Sequence, residues 1–272
     1  VFEGHMAKMA EGFRAIRMAE LEIAGEYSPE KHAALLRDFN WRQFSDDEFR
    51  LCPPVLSVGD DGAMHDVGFQ NLSRMMTSGR PIKVLVFDTQ LHSAATARHQ
   101  EEIRKEIALI AMAHRNTYVM QGAASNIAHL LEGFIEGINA RRPALFNIYS
   151  PCQTEHGIGD DMAQHQSMLA VESRAHPLYR YDPGRGPTLA ECFDLDGNPA
   201  VDAAWPVYNL EHTDEEGRSG FLQIPLTFAD FAVTEDRFRA HFRRVPREHW
   251  HDDMMPLAEY LELDEDEREG LE

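Results

Sequence analysis

The chain has 272 residues, of which 43% are hydrophobic and 26% charged, as is typical of one large globular domain or of one domain with an appendage. This composition excludes disordered and fibrous proteins. The 46 acidic residues outnumber the 26 basic ones, and the formal net charge of −20 argues against a nucleic acid as partner. No apolar run approaches the roughly 20 residues that span a bilayer, and no N-terminal segment resembles a secretory signal, so we predict no membrane contact.

Cysteine usage points to a reducing compartment. Cys52, Cys152 and Cys192 are too few and too far apart for a disulfide framework, so we predict a cytoplasmic location. Each is expected to be a small buried hydrophobic residue unless its surroundings make it a ligand.

Apolar periodicity predicts a helix that starts at the first residue. Phe2, Met6, Met9, Phe13 and Ile16 recur at steps of three and four, which gives a continuous apolar stripe. A chain that opens inside an element, without methionine, is predicted to be a piece of a longer protein whose N-terminal part is missing. Residues 24–51 are polar, with turn signals, and are predicted to form a connection with one or two short helices.

From residue 54 onward, short apolar runs alternate with helical patterns. Strands are predicted at 54–58, 82–87, 117–120 and 144–149, separated by helices that carry Phe69 and Leu72, then Ile103 to Ala111, then Ile127 to Ile138 with Ser125 as cap. Strands that are apolar along their length and alternate with helices indicate a parallel sheet covered on both faces. The predicted fold class is therefore α/β, with three layers and a mostly parallel sheet between helices.

The C-terminal part differs in composition from the rest. Residues 252–272 hold ten carboxylates and a single arginine. We predict one domain over residues 1–227 and an acidic, helical C-terminal extension over residues 228–272.

Polar residues with glycine follow the first two predicted strands. Gly59-Asp60-Asp61-Gly62 comes after the first, and Asp88-Thr89-Gln90-Leu91 after the second. In a parallel sheet such ends bind ligands, because glycine lets backbone amides approach an anion. A carboxylate repels a phosphate unless a divalent cation lies between them, so Asp61 suggests a diphosphate bridged by Mg²⁺, with the Thr89 hydroxyl and Leu91 carbonyl as further ligands. A solvated turn before a helix is the alternative.

Three separated segments together resemble a known family. They are 56–69 (LSVGDDGAMHDVGF), 83–93 (KVLVFDTQLHS) and 149–152 (YSPC), the last followed by His156-Gly157-Ile158. In this order they are similar to the thiamine-diphosphate-binding domain of the pyruvate:ferredoxin (2-oxoacid:acceptor) oxidoreductase family. The resemblance covers about residues 1–205, and the segment after residue 228 has no counterpart. It implies the thiamine-diphosphate-binding fold and oxidative decarboxylation of a 2-oxo acid, or the reverse carboxylation, with electrons passed to an adjacent [4Fe–4S] cluster.

The resemblance also implies roles for particular residues. Asp61, Thr89 and Leu91 would hold Mg²⁺, and the backbone from Gly59 to Ala63 would surround the diphosphate of thiamine diphosphate. Cys152 would be one thiolate ligand of the [4Fe–4S] cluster. Such a cluster needs four thiolates, and in the family the other three lie upstream of the position matching Val1, so the cluster would be shared with residues outside this segment.

The chain departs from the family pattern in the loop after the Mg²⁺ ligands. Ala94 stands where the family has an asparagine directed at the substrate, so either a different 2-oxo acid is used or activity is low. His92, Thr96 and Arg98 are the candidates for the missing hydrogen-bond donor.

The resemblance implies partners as well. They are the remaining domains or subunits of the same enzyme, a ferredoxin-like electron acceptor, a small 2-oxo acid and coenzyme A, and the assembly is expected to be a homo-oligomer.

Two alternatives stay open. The first is a non-oxidative thiamine-diphosphate enzyme in which Cys152 is structural, and the second is a catalytically silent module that keeps the fold. The 14 histidines show no zinc-site spacing and are interpreted as surface or satisfied core residues.

Overall fold

A computed structural model describes residues 1–90, 105–213, 217–268 and 271 of the chain. Its main sheet has six strands in the order β1-β2-β4-β3-β5-β6. The first four strands in this order run parallel, while β5 and β6 are antiparallel additions at one edge. The strands are β1 (Val55–Asp60), β2 (Ile82–Asp88), β3 (Tyr118–Ala123), β4 (Ala144–Tyr149), β5 (Tyr179–Tyr181) and β6 (Phe193–Asp194). The predicted α/β class with a mostly parallel sheet is confirmed.

Helices follow or precede most strands. They are α1 (Phe2–Ile23), α2 (Pro29–Arg37), α3 (Asp46–Arg50), α4 (Asp61–His65), α5 (Phe69–Thr77), α6 (Ile107–Ala113), α7 (Ile127–Asn139), α8 (Gln153–His156), α9 (Ala163–Glu172), α10 (Leu189–Cys192), α11 (Phe228–Ala232) and α12 (Leu257–Glu262). The helix predicted from residue 103 is seen from Ile107, and its predicted first turn lies outside the described residues. No helix in the described ranges is long and apolar enough to cross a membrane.

The sheet lies between two helical layers, which confirms the three-layer prediction. On one face, valines of β2 such as Val84 and Val86 pack with Leu72 of α5 and Ile107 of α6. On the other face, aromatic and aliphatic residues of β3 and β4 pack against α7. All residues of β3 and β4 are buried, as expected for strands covered on both faces.

Helix α7 is seated on the sheet through glycines. A Cβ on Gly133 would lie 2.0 Å from the Met120 sulfur, and one on Gly137 would lie 2.4 Å from the Phe146 ring. This close approach turns Leu131 of the predicted apolar face outward, where it is 57% exposed.

The start of α7 differs from the prediction. Ser125 is not its cap, because the Asn126 side chain accepts a hydrogen bond from the His129 backbone N–H at 3.1 Å. Ser125 instead bonds Ser167 of α9, through its backbone N–H at 3.1 Å.

The predicted N-terminal helix is confirmed and packs on the predicted connection. Phe2, Met6 and Phe13 of α1 are buried in a second core with Trp41 and Phe44. Ile16, which the stripe included, is 54% exposed, because the buried face drifts away after the third turn.

The C-terminal region begins with a hairpin that the sequence analysis did not predict. Strands β7 (Val207–Thr213) and β8 (Ser219–Pro225) pair antiparallel. The chain beyond the predicted boundary at residue 227 then returns to the main body, where Phe231 is buried with Leu226 and Tyr149. The division into residues 1–227 and 228–272 stays a prediction.

Candidate cofactor site

The three motifs picked out in the sequence meet at one edge of the sheet. Strand β1 pairs with β2 up to Asp60 and Phe87, and β2 pairs with β4 up to Asp88 and Tyr149. The Ser150 backbone N–H then donates to the Asp88 carbonyl at 2.8 Å. Because carboxyl ends of parallel strands lie side by side, the turn after β1, the loop after β2 and the segment after β4 share this edge.

Asp61 is a buried residue at this edge whose bonding is incomplete. It begins α4 and is only 2% exposed. Its Oδ1 accepts a hydrogen bond from the Thr89 hydroxyl at 2.9 Å, whereas its Oδ2 is buried and has no partner in the part of the chain that the structure describes. Buried carboxylate oxygens are normally bonded. A carboxylate and a hydroxyl oxygen side by side are ligands of the type that Mg²⁺ prefers, so these two residues fit that cation.

The other residues of the turn have structural tasks. The Asp60 side chain caps α4, since its Oδ1 accepts from the Ala63 backbone N–H at 2.7 Å. Gly59 lies against Met64, and a Cβ there would be 2.7 Å from the methionine methyl group. Gly62 has no such close neighbour in the described part of the chain.

Gly68 is the glycine of this region that the sequence analysis missed. A Cβ on it would lie 2.5 Å from the Ala63 carbonyl oxygen, a backbone atom that cannot move aside. Its position in the run Asp66-Val67-Gly68 between two short helices was the available signal. The close approach lets α5 start directly behind the turn after β1.

The loop after β2 is held in an unusual backbone conformation. Gln90 has φ of +57°, and its backbone N–H donates to Asp88 Oδ1 at 3.0 Å. The other predicted residues of this loop fall outside the described residues: Leu91, His92, Ala94, Thr96 and Arg98. Their predicted roles stay predictions.

His156 joins the motif after β4 to the loop after β2. Its Nε2–H donates to the Thr89 carbonyl at 2.7 Å, and its Nδ1 accepts from the Cys152 backbone N–H at 3.2 Å. The partners define a neutral tautomer, because a carbonyl only accepts and an amide only donates. Burial lowers the pKa of His156, which keeps the ring neutral. His156 is thus a satisfied core histidine, as the sequence suggested, although it lies at the site.

A buried polar pair underlies the loop and was not singled out from the sequence. The Asn147 amide donates to Asp88 Oδ2 at 2.7 Å, and both residues are only 1% exposed. Asn147 Oδ1 has no partner among the described residues. Two polar side chains inside otherwise apolar strands were the signal that could have identified them.

The segment that follows the predicted boundary at residue 227 also reaches this edge. Glu235 is fully buried and accepts from the Tyr149 hydroxyl at 2.7 Å. Arg237 donates to the Gln90 carbonyl at 2.6 Å. No local sequence pattern identifies these two residues, since their partners lie 86 and 147 positions away.

The described cysteines do not by themselves fit an iron–sulfur cluster. Cys52 is buried in the α1 core, and Cys192 donates to the Gly186 carbonyl elsewhere in the fold. Cys152 is half-buried next to the candidate site, two positions after Ser150. Within the described ranges, no group of three or more His, Cys, Asp or Glu residues is placed to hold a metal ion. The predicted Mg²⁺ set includes only one such side chain, Asp61, beside a hydroxyl and a carbonyl.

Comparison with known proteins bears on this geometry. The NADP⁺-dependent mitochondrial pyruvate dehydrogenase of Euglena gracilis is 30% identical over 164 residues, which are 52% of this chain and 9% of that protein. The pyruvate-flavodoxin oxidoreductase of Rhodospirillum rubrum is 32% identical over 165 residues, 53% of this chain and 13% of the relative. About half of the chain is therefore homologous to part of the pyruvate:ferredoxin oxidoreductase family. The resemblance inferred from the motifs is confirmed.

A separate subunit also matches. The pyruvate synthase subunit PorB of Thermotoga maritima is 25% identical over 150 residues, which are 47% of this chain and 46% of the subunit. The chain thus spans less than half of PorB and a small fraction of the longer pyruvate oxidoreductases. It matches no protein-family model.

Proposed function

We propose that the carboxyl edge of the sheet binds thiamine diphosphate through Mg²⁺, and that the chain is the cofactor-binding part of a 2-oxoacid:acceptor oxidoreductase. The observation that carries this proposal is the buried Oδ2 of Asp61, which has no partner among the described residues and lies beside the Thr89 hydroxyl. The homology with pyruvate oxidoreductases supports the reaction class.

Each residue of the edge has a task in this proposal. Asp61 and Thr89 would hold the cation, with the Leu91 carbonyl as the predicted third protein ligand, while backbone from Gly59 to Ala63 would surround the diphosphate. His156 donates a hydrogen bond to the Thr89 carbonyl. This bond orients Thr89 so that its hydroxyl faces Asp61. Because Asp61 is buried, its attraction to the bound cation would be weakened little by water. Bound thiamine diphosphate supplies the stabilisation of negative charge that decarboxylation of a 2-oxo acid requires.

The finer features of the family are part of the same proposal. Cys152 would contribute one ligand of a [4Fe–4S] cluster completed from outside this segment. The acceptor would be ferredoxin-like, the other domains or subunits of the enzyme would be its partners, and coenzyme A its second substrate. Homo-oligomeric assembly and a cytoplasmic location complete the proposal.

Removal of the Asp61 carboxylate tests cofactor binding. In the complete enzyme, Asp61→Ala should abolish measurable binding of thiamine diphosphate in calorimetric titrations with Mg²⁺, because the variant lacks the cation's charged ligand. Asp66→Ala is the matched control, since Asp66 is exposed five residues further along. Unchanged affinity in Asp61→Ala, with the control also unchanged, would contradict the site.

Substitution of Cys152 separates the oxidative function from the non-oxidative alternative. Cys152→Ser in the complete enzyme should lower iron content and weaken the electron paramagnetic resonance signal of the reduced protein, since serine is a poor replacement for a thiolate. Cys52→Ser and Cys192→Ser, at buried positions away from the site, should leave both unchanged. Equal iron in all three variants would favour a structural role for Cys152.

A further inference from the structure

Gln90 is held by several contacts at the start of the segment after β2. It lies between Thr89 and Leu91, the two predicted Mg²⁺ ligands contributed by this loop. Its φ of +57° is uncommon for a residue with a side chain, and such conformations persist only where the surroundings fix them. The contacts that hold Gln90 therefore also fix the position of Thr89, the residue before it.

Each of the polar groups of Gln90 is bonded. The backbone N–H donates to Asp88 Oδ1 at 3.0 Å, and the side-chain Nε2 lies 3.0 Å from His176 Nδ1. Arg237 supplies the other two contacts, with Nη1 2.6 Å from the Gln90 carbonyl and Nη2 2.9 Å from Gln90 Oε1. One guanidinium group thus donates hydrogen bonds to both the backbone and the side chain of the same residue. A lysine cannot reproduce this planar two-point contact.

Arg237 is itself anchored from below. Its Nε donates to Glu235 Oε2. Glu235 is fully buried, and its Oε1 accepts from the Tyr149 hydroxyl at 2.7 Å and from Gln166 Nε2 at 3.1 Å. These bonds attach Arg237 to the end of β4 and to α9, which are rigid parts of the core.

Residues 235–237 also contact the motif after β4. Asp236 lies over Gly157, where a Cβ would be 2.2 Å from Asp236 Oδ2, and Gly157 has φ of +70°. Residues 235–237 therefore contact both motifs that flank the candidate site. They belong to the part of the chain for which the sequence resemblance offered no counterpart.

We propose that Glu235 and Arg237 form a clamp that positions Thr89 and Gln90, directly after β2, for binding of the Mg²⁺–diphosphate group, which makes the segment after residue 228 part of the cofactor site. This proposal rests on the proposed function. Arg237 acts through Gln90 and is a positioning residue. Thr89 and Gln90 are held before the cofactor arrives, so ordering these two residues does not reduce the free energy of binding.

The test compares Arg237→Lys with Arg239→Lys in the complete enzyme. Lysine keeps the charge beside Glu235 but cannot make the planar two-point contact with Gln90. Arg239→Lys is the matched control, because the Arg239 side chain is 69% exposed. We expect Arg237→Lys to weaken calorimetric affinity for thiamine diphosphate with Mg²⁺ by about tenfold or more, and the control to bind as the wild type does. The urea midpoint should be similar in the two variants.

A second measurement does not depend on the cofactor. Amide hydrogen exchange of cofactor-free enzyme should be faster at residues 89–90 in Arg237→Lys than in the wild type or the control. Wild-type binding with unchanged affinity in Arg237→Lys would overturn the clamp alone. If the wild type does not bind thiamine diphosphate, both the proposed function and the clamp's role in cofactor binding are wrong. If amide exchange at residues 89–90 is the same in Arg237→Lys as in the wild type, the clamp is wrong whatever the binding result.

Discussion

The two ends of strand β2 bury opposite charges in different ways. At the amino end, Lys83 is 1% exposed, and its Nζ donates to the carbonyls of Ala140 and Arg142 at 2.6 and 3.1 Å, just beyond the C-terminus of α7. At the carboxyl end, Asp88 is equally buried, but the neighbouring Asp61 keeps an oxygen that has no partner within the described ranges. The amino end therefore bonds its buried polar group to the chain itself, while the carboxyl end retains bonding capacity for a ligand.

The largest effect that would sharpen this comparison concerns the helix over the amino end. Gly137→Ala should lower the free energy of unfolding by about 3 kcal/mol, because the added methyl group collides with the Phe146 ring at 2.4 Å. Gly4→Ala, in a helix position with open space, should raise it by roughly 0.5–1 kcal/mol. Urea unfolding measures both values.

Cofactor affinity completes that experiment. The folded fraction of Gly137→Ala should bind thiamine diphosphate as tightly as the wild type, since the substitution lies at the amino end. Weaker binding at full folding would show that the two ends are coupled and would break the division of tasks.

A pH titration isolates the buried lysine. Burial lowers the pKa of Lys83 to about 7, from the ordinary 10.5, so between these values the folded chain binds fewer protons than the unfolded chain. Stability contributed through Lys83 should therefore increase with pH in that range and be lowest below pH 7. Between pH 7 and 9 the wild type should gain about 2 kcal/mol relative to Lys83→Met, in which nothing titrates at this position.

Unfolding curves of both proteins at several pH values give this difference. If the difference in free energy of unfolding between the two proteins does not vary with pH, Lys83 stays charged throughout, stabilised by its two carbonyl acceptors.

The smallest expected effect concerns Ala94, which lies outside the described residues, and is an effect on activity. Ala94 lacks the donor that the family's asparagine provides, so we expect a preference for a bulkier 2-oxo acid over pyruvate. Ala94→Asn should raise kcat/KM for pyruvate by about tenfold, equivalent to ~1.4 kcal/mol. Dye reduction over a panel of 2-oxo acids measures both; if the wild type already uses pyruvate best and the asparagine adds nothing, another residue supplies the donor.

The sequence predicted those parts of the fold that depend on local periodicity. Strands β1 to β4 and helix α1 follow from apolar spacing, and Asp61 and Thr89 were brought together because each directly follows a parallel strand. Their positions directly after two neighbouring parallel strands were sufficient to place both residues at the same edge of the sheet.

Contacts between distant segments could not be predicted in this way. Arg237 and Gln90 meet across 147 positions, and nothing in either local sequence indicates the other. Similarly, Arg141 and Arg142 come soon after α7 in the sequence, but they pair with Asp46 at 3.0 Å and Asp182 at 3.6 Å, residues of distant segments. Lys83, from a strand, binds the carbonyls after that helix instead, because tertiary packing placed it closer.

The seating of α7 on the sheet limits how these residues can change over time. Gly133 faces the Met120 sulfur and Gly137 faces the Phe146 ring, with no room for even one carbon between them. An alanine at either helix position therefore lowers stability unless the facing strand residue has first become smaller. In related chains, residues at these two pairs of positions should therefore exchange together, with the order of replacement running from strand to helix.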